Sequence, residues 1–217
     1  MKRFFAFTLA ETLIVMGVIG VVAALTLPNL NQSTGNKEKI AKVKKLASNL
    51  EDAVGRAQVI YGPMDTWKSE KKFFDRITEF MKISKVCTIS DNCSIQIDSN
   101  GSAGKHSRYA VILADGSVLD FDMSPVFGDF TVRVDIDGLN KGANKSGFDV
   151  FKFHFENNGL QYDSHDYVRF YNRSFFDITD ATLWILMFDN MDYLKTNDGT
   201  TCPNGTKLTF SGNHACK

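Results

Sequence analysis

The chain has 217 residues, 43% hydrophobic and 23% charged, with 25 basic and 25 acidic side chains and no net charge. That suits one sizeable globular domain with an appendage. The lack of a basic excess argues against a nucleic-acid partner.

From Phe7 to Leu27 the chain runs 21 residues with one charged side chain, Glu11. At ~1.5 Å per residue a helix of that length spans about 30 Å, the hydrocarbon core of a bilayer. Three readings compete. A cleaved secretory signal would use the basic start Met1-Lys2-Arg3 and the small residues Val22-Ala23-Ala24. The run is longer than such signals need, however, and it holds an acid. A plain membrane anchor accounts for the length but not for Glu11, since a carboxylate in mid-bilayer costs ~2.5–3.5 kcal/mol and marks function.

The third reading starts from spacing: Phe7 and Glu11 stand at i and i+4, on one face of a helix. The residues Ala6-Phe7-Thr8-Leu9-Ala10-Glu11 resemble the processing junction of type IV prepilins, the precursors of pilins and of type II secretion pseudopilins. The resemblance covers about the first 30 residues. It implies a leader at 1–6, cut after Ala6 by a prepilin peptidase, where the family favours Gly. It also implies N-methylation of the new terminus Phe7 and use of Glu11 in assembly. In that logic the Glu11 carboxylate of one subunit neutralises the Phe7 ammonium of the next, so neither charge is left alone in an apolar setting. The implied partners are the peptidase/methyltransferase, other pilin or pseudopilin subunits, and the membrane. The implied location is a single pass through a bacterial inner membrane with the C-terminal domain exported, then a periplasmic or extracellular filament.

Pro28 has no N–H for the carbonyl of Ala24, so a kink or break is expected there, with "NQSTGN" (31–36) as a polar loop if the helix ends. Lys37, Lys39, Lys42, Lys44 and Lys45 follow, placed to meet anionic headgroups. Ile40, Val43, Leu46/Ala47, Leu50, Ala53/Val54, Ala57 and Ile60 then form a stripe of helical period, stopped by Gly62-Pro63. The expected segments are the leader 1–6, a transmembrane or filament-core helix 7–27, the second half of that helix 28–60, and an exported globular domain 61–217.

A second helical pattern runs through "EKKFFDRITEFMKI" (70–83). Two apolar runs around Asp115-Gly116 signal a β-hairpin. Phe130, Val132, Val134 and Ile136 alternate with polar residues, as do Phe151, Phe153 and Phe155. An antiparallel sheet with one buried face follows. "DATLWILMFDNMDYL" (180–194) returns to helix, with Leu183/Trp184, Met187/Phe188, Met191 and Leu194 inward. The fold class is α+β: a long N-terminal helix, its first half transmembrane, then a pilin-like domain with an antiparallel sheet and further helices.

Cys87, Cys93, Cys202 and Cys216 fit disulfides in an exported domain. Four cysteines allow three connectivities, and local pairing is expected. Within 135–149, Asp135, Asp137, Asn140, Asn144 and Asp149 offer hard oxygen ligands among glycines, which suits Ca2+. The competing reading is an Asx-rich turn whose side chains bond their own backbone. His106, His154, His165 and His214 stand in no metalloprotease or nucleophile-elbow pattern, and no phosphate loop is present. His154 is expected to face solvent, while Trp67 and Trp184 are expected in the core. The expected function is therefore structural and non-enzymatic: a pilus or pseudopilus subunit, within that group a secretion pseudopilin. The alternative is a non-assembling anchored or secreted domain that binds a ligand or metal.

Overall fold

The computed structural model describes residues 9–88, 91, 93, 95, 109–123, 130–139, 141, 142, 144–156, 159, 160, 178–196 and 198–216, without the side chains of 23, 25–33, 123 and 178–180. Two compact units divide the chain at Glu38/Lys39. Among the described residues there are three α-helices, α1 (Leu9–Tyr61), α2 (Glu70–Thr78) and α3 (Ile178–Phe188). The strands are β1 (Ile83–Cys87), β2 (Tyr109–Leu113), β3 (Val118–Met123), β4 (Phe130–Asp135), β5 (Val150–Glu156) and β6 (Gly159–Leu160). The α+β class is as expected.

The helix α1 is continuous over 53 residues, so of the expected kink or break at Pro28 there is no break, and 31–36 is helix rather than loop. A proline removes one hydrogen bond, to Ala24, while the turns on either side keep theirs. The helix stops where expected: Gly62 takes φ +80° and its N–H closes on Gln58 O at 3.0 Å, and Pro63 follows. The predicted stripe is buried from Ile40 to Ala57. Ile60, at the margin of the stripe, is 61% exposed instead.

The six strands form one antiparallel sheet in sequence order. The β2–β3 hairpin turns at Asp115-Gly116, where Gly116 has φ +89° and the Asp115 carboxylate accepts from Ser117 N at 3.1 Å. Register aligns Phe121, Val132 and Phe153 across three strands, and Phe130 opposite Phe155. Phe73 of α2 lies flat on Phe130, centroids 4.1 Å apart, and Trp67 packs beside it. Both predicted core tryptophans, Trp67 and Trp184, are fully buried.

Three expectations needed correction. The pattern over 70–83 ends as helix at Thr78, and Ile83 opens β1 instead of closing the helix. The pattern over 180–194 divides: α3 ends at Phe188, Asp189 takes φ +58°, and a 3-10 turn covers Asp192–Lys195. Asn190 causes the break, its Oδ1 accepting from Trp184 Nε1 and Asp192 N, both at 2.9 Å. Met187, expected inward, is instead 48% exposed on α3. The sheet also buries residues on both faces: Val118, Asp120 and Val150 lie opposite the phenylalanine face and are covered.

Candidate functional site

The N-terminal junction is the first candidate. Ala6 and Phe7 lie outside the described residues, whereas Glu11 lies in the described part of α1. Beyond it Leu13, Ile14, Val15, Met16, Val18, Ile19, Val21 and Val22 are 54–74% exposed, pointing in every direction around the axis. Among the described residues no helix is long and apolar enough to cross a membrane. Phe7, Thr8 and the side chains of 25–27, at the two ends of the expected span, are outside the description. Pro28 is helical in backbone, and its side chain is likewise outside.

Lys39, Lys44 and Lys45 find partners within the globular unit. Lys39 Nζ lies 3.1 Å from the Phe148 ring centroid and donates to Phe148 O at 3.2 Å. Lys44 pairs with Asp189 at 2.7 Å, and Lys45 approaches Asp115 at 3.9 Å. These contacts join α1 to three separate loops.

The 135–149 loop is the second candidate. Asp135 and Asp149 are buried and Asp137 half-buried; Asn140 lies outside the described residues. Asp135 Oδ1 accepts from Asp137 N at 3.1 Å and Gly138 N at 3.0 Å, and Asp149 Oδ1 accepts from Lys145 N. These are the bonds of the Asx-turn reading. A Cβ on Gly138 would stand 2.6 Å from Gly116 O, so only glycine fits where the loop meets the hairpin turn. Burial, and then the hydrogen bond and charge of Asp137, push the Asp135 carboxyl up to about 7. Asp137 Oδ1 and Asn144 Oδ1 are buried without hydrogen-bond partners. Among the described residues no three His, Cys, Asp or Glu side chains gather as a metal site.

The cysteines pair locally as expected, Cys87 with Cys93 and Cys202 with Cys216. The second bridge closes beside an aromatic cluster in which His214 stacks on Phe188 at 3.8 Å. Asn190 Nδ2 holds His214 O at 3.0 Å. His214 is thus a packing residue beside an oxidised Cys216. His154 is half-buried on β5, on the face opposite the phenylalanines, and His106 and His165 lie outside the described residues.

The sheet also holds a buried charge pair. Arg133 Nη2 donates to Asp120 Oδ2 at 2.8 Å, and Asp120 is fully buried. The only signal was a pair of opposite charges, each alternating with apolar residues in its own strand. No protein-family profile, curated protein or solved structure matches this chain.

Proposed function

We propose that this chain is a structural subunit of a type IV pilus-like or type II secretion pseudopilus filament. In this reading the 7–27 segment holds the precursor in a bacterial inner membrane, with the globular unit exported. A prepilin peptidase removes 1–6 and Phe7 is methylated. The freed helix then packs against other subunits, Glu11 of one meeting the Phe7 ammonium of another. The protein acts by assembling, and catalysis plays no part.

The observation that carries the reading is the division of one helix into two surfaces. Along Leu9–Val22, α1 exposes large apolar side chains on all sides; along Ile40–Ala57 it buries one stripe against its own sheet. An all-round apolar helix belongs inside lipid or inside a bundle of other helices. Local disulfides in the globular unit accord with export.

Mass spectrometry of the mature N-terminus tests this, in hosts with and without a prepilin peptidase. A start at N-methylated Phe7 that depends on the enzyme supports assembly. A start at Leu25 would mean a secreted domain, and an intact Met1 a plain anchor; either overturns the proposal.

A further inference from the structure

Between Cys202 and Thr206 the chain reverses through a tight loop, Pro203-Asn204-Gly205. Pro203 suits the first corner of such a turn, and Gly205, at φ +82°, takes the left-handed position that closes it. Gly205 N donates to Cys202 O at 2.9 Å, Cys202 N to Thr206 O at 2.8 Å, and Thr206 N to Asn204 Oδ1 at 3.0 Å. Asn204 and Gly205 are exposed, and a Cβ on Gly205 would meet nothing within 4 Å. With no side chain of its own, Gly205 leaves its backbone nitrogen unshielded. Below the loop a single bridge joins Thr201 to Lys207, and Cys202 is buried and bonded to Cys216.

We propose that Asn204 is a site of spontaneous deamidation, held back while the Cys202–Cys216 disulfide is closed and released once it is reduced. In the reaction Gly205 N attacks Asn204 Cγ, and the new C–N bond closes a cyclic imide. The Cγ–Nδ2 bond breaks, and ammonia leaves with the proton that Gly205 N gave up. Water then opens the imide at either carbonyl, leaving aspartate or isoaspartate. Water is the only co-reactant of this step. The releasing step needs a dithiol, which gives two electrons and two protons to the bridge and becomes a disulfide itself. The closed turn opposes the attack in two ways. Gly205 N must lose its proton, which Cys202 O holds. The imide ring is nearly flat, so Asn204 Cβ and Gly205 N must eclipse, far from the ψ of about 0° usual at that corner of a turn. Freeing the Gly205 and Cys202 backbone bonds makes the reactive form about tenfold rarer than in an open chain. A lone hairpin is marginal in water, so the covalent tie of Cys202 is what keeps the turn closed. Neither the 7–27 segment nor the filament reading enters this argument.

The test follows the full chain in detergent at neutral pH by peptide mapping. Conversion at Asn204 is read as the mass gained when amide becomes acid, with isoaspartate resolved by its separate elution. Oxidised wild type should convert about tenfold more slowly than a Cys202→Ser/Cys216→Ser variant. That variant keeps the Cys87–Cys93 bridge, and near-ultraviolet circular dichroism checks that it is folded. Asn204→Gln, whose imide would need a larger ring, should stay unconverted. If the bridge-free variant does not fold, amide exchange on the wild type decides. The Gly205 N–H should be protected while the bridge is closed and exchange after reduction sooner than the amides of the β3–β4 ladder. Equal conversion with the bridge open and closed, or none in either, would overturn the proposal. So would an unprotected Gly205 N–H in the oxidised protein, or one released only together with the ladder.

Discussion

Arg133 and Asp120 face each other across the β3–β4 ladder, joined at 2.8 Å, with the carboxylate at 0% exposure and the guanidinium side chain at 14%. A pair this deep gains little over apolar residues of the same volume, but breaking it leaves a buried charge alone. Asp120→Ala is therefore expected to cost ~3–5 kcal/mol, read by urea unfolding. Replacing both residues with aliphatic ones should recover most of the loss. A cost under ~1 kcal/mol for Asp120→Ala would mean that water reaches Arg133.

The boundary of the folding unit should lie inside α1. A fragment starting at residue 34 keeps the buried Ile40, Val43, Leu46, Leu50 and Val54, whereas one starting at residue 62 loses them. At ~1.5–3 kcal/mol for each such side chain, the loss is comparable to the whole stability of a domain. The longer fragment should unfold cooperatively and the shorter one should not fold. Reduction should destabilise the longer fragment, the Cys202–Cys216 bridge alone contributing about 3 kcal/mol for its 14-residue separation. Thiol titration of the unfolded, unreduced fragment should find no free thiol.

Stability should fall as pH rises from about 4 to about 8. The Asp135 carboxyl is pushed up to about 7 by burial and by Asp137, so the folded state favours its neutral form. That contribution is complete below the unfolded value near 4 and is lost as pH passes through about 7. Asp135→Asn keeps an oxygen for the Asp137 and Gly138 N–H groups and offers an N–H to Asp137. It should be more stable than wild type at pH 8, by ~1–4 kcal/mol, and show a flatter pH profile. Parallel profiles for the two proteins would exclude this role for Asp135.

Calcium should leave the melting temperature of the 34–217 fragment unchanged. The Asp135 and Asp149 carboxylates already serve backbone N–H groups in the 135–149 loop. A ligand bound only by the folded state would add ~2.7 kcal/mol at a hundredfold excess over Kd. A clear upward shift that chelator reverses and Asp137→Ala abolishes would restore the metal reading.

Glu11→Ala should insert into membranes as well as wild type or better, since an insertion cost of ~2.5–3.5 kcal/mol disappears. It should enter filaments slowly or not at all, because the Phe7 ammonium has lost its partner. Incorporation at the wild-type rate would remove the docking role.

Sequence alone determined what repeats locally. The Ile40–Ala57 stripe, the Phe151-Phe153-Phe155 alternation and the Asp115-Gly116 turn were legible because burial on one side imposes periods of 3.6 or 2, and a tight turn demands particular residues. The exposed apolar run after Glu11 was equally plain. Tertiary structure decided whatever depends on residues far apart. β1 is a strand only because Val86 and Cys87 pair with Val111 and Ala110. The helix over 180–194 ends early because Asn190 bonds to Trp184 and His214. Lys39 and Phe148 meet across 109 residues, and Asp120 finds Arg133 only through the β3–β4 register. The disulfides stood between: composition implied them, but spatial proximity chose one of three connectivities. Local periodicity reports which side of an element is buried, whereas partner choice depends on chain closure and register, which no single segment encodes.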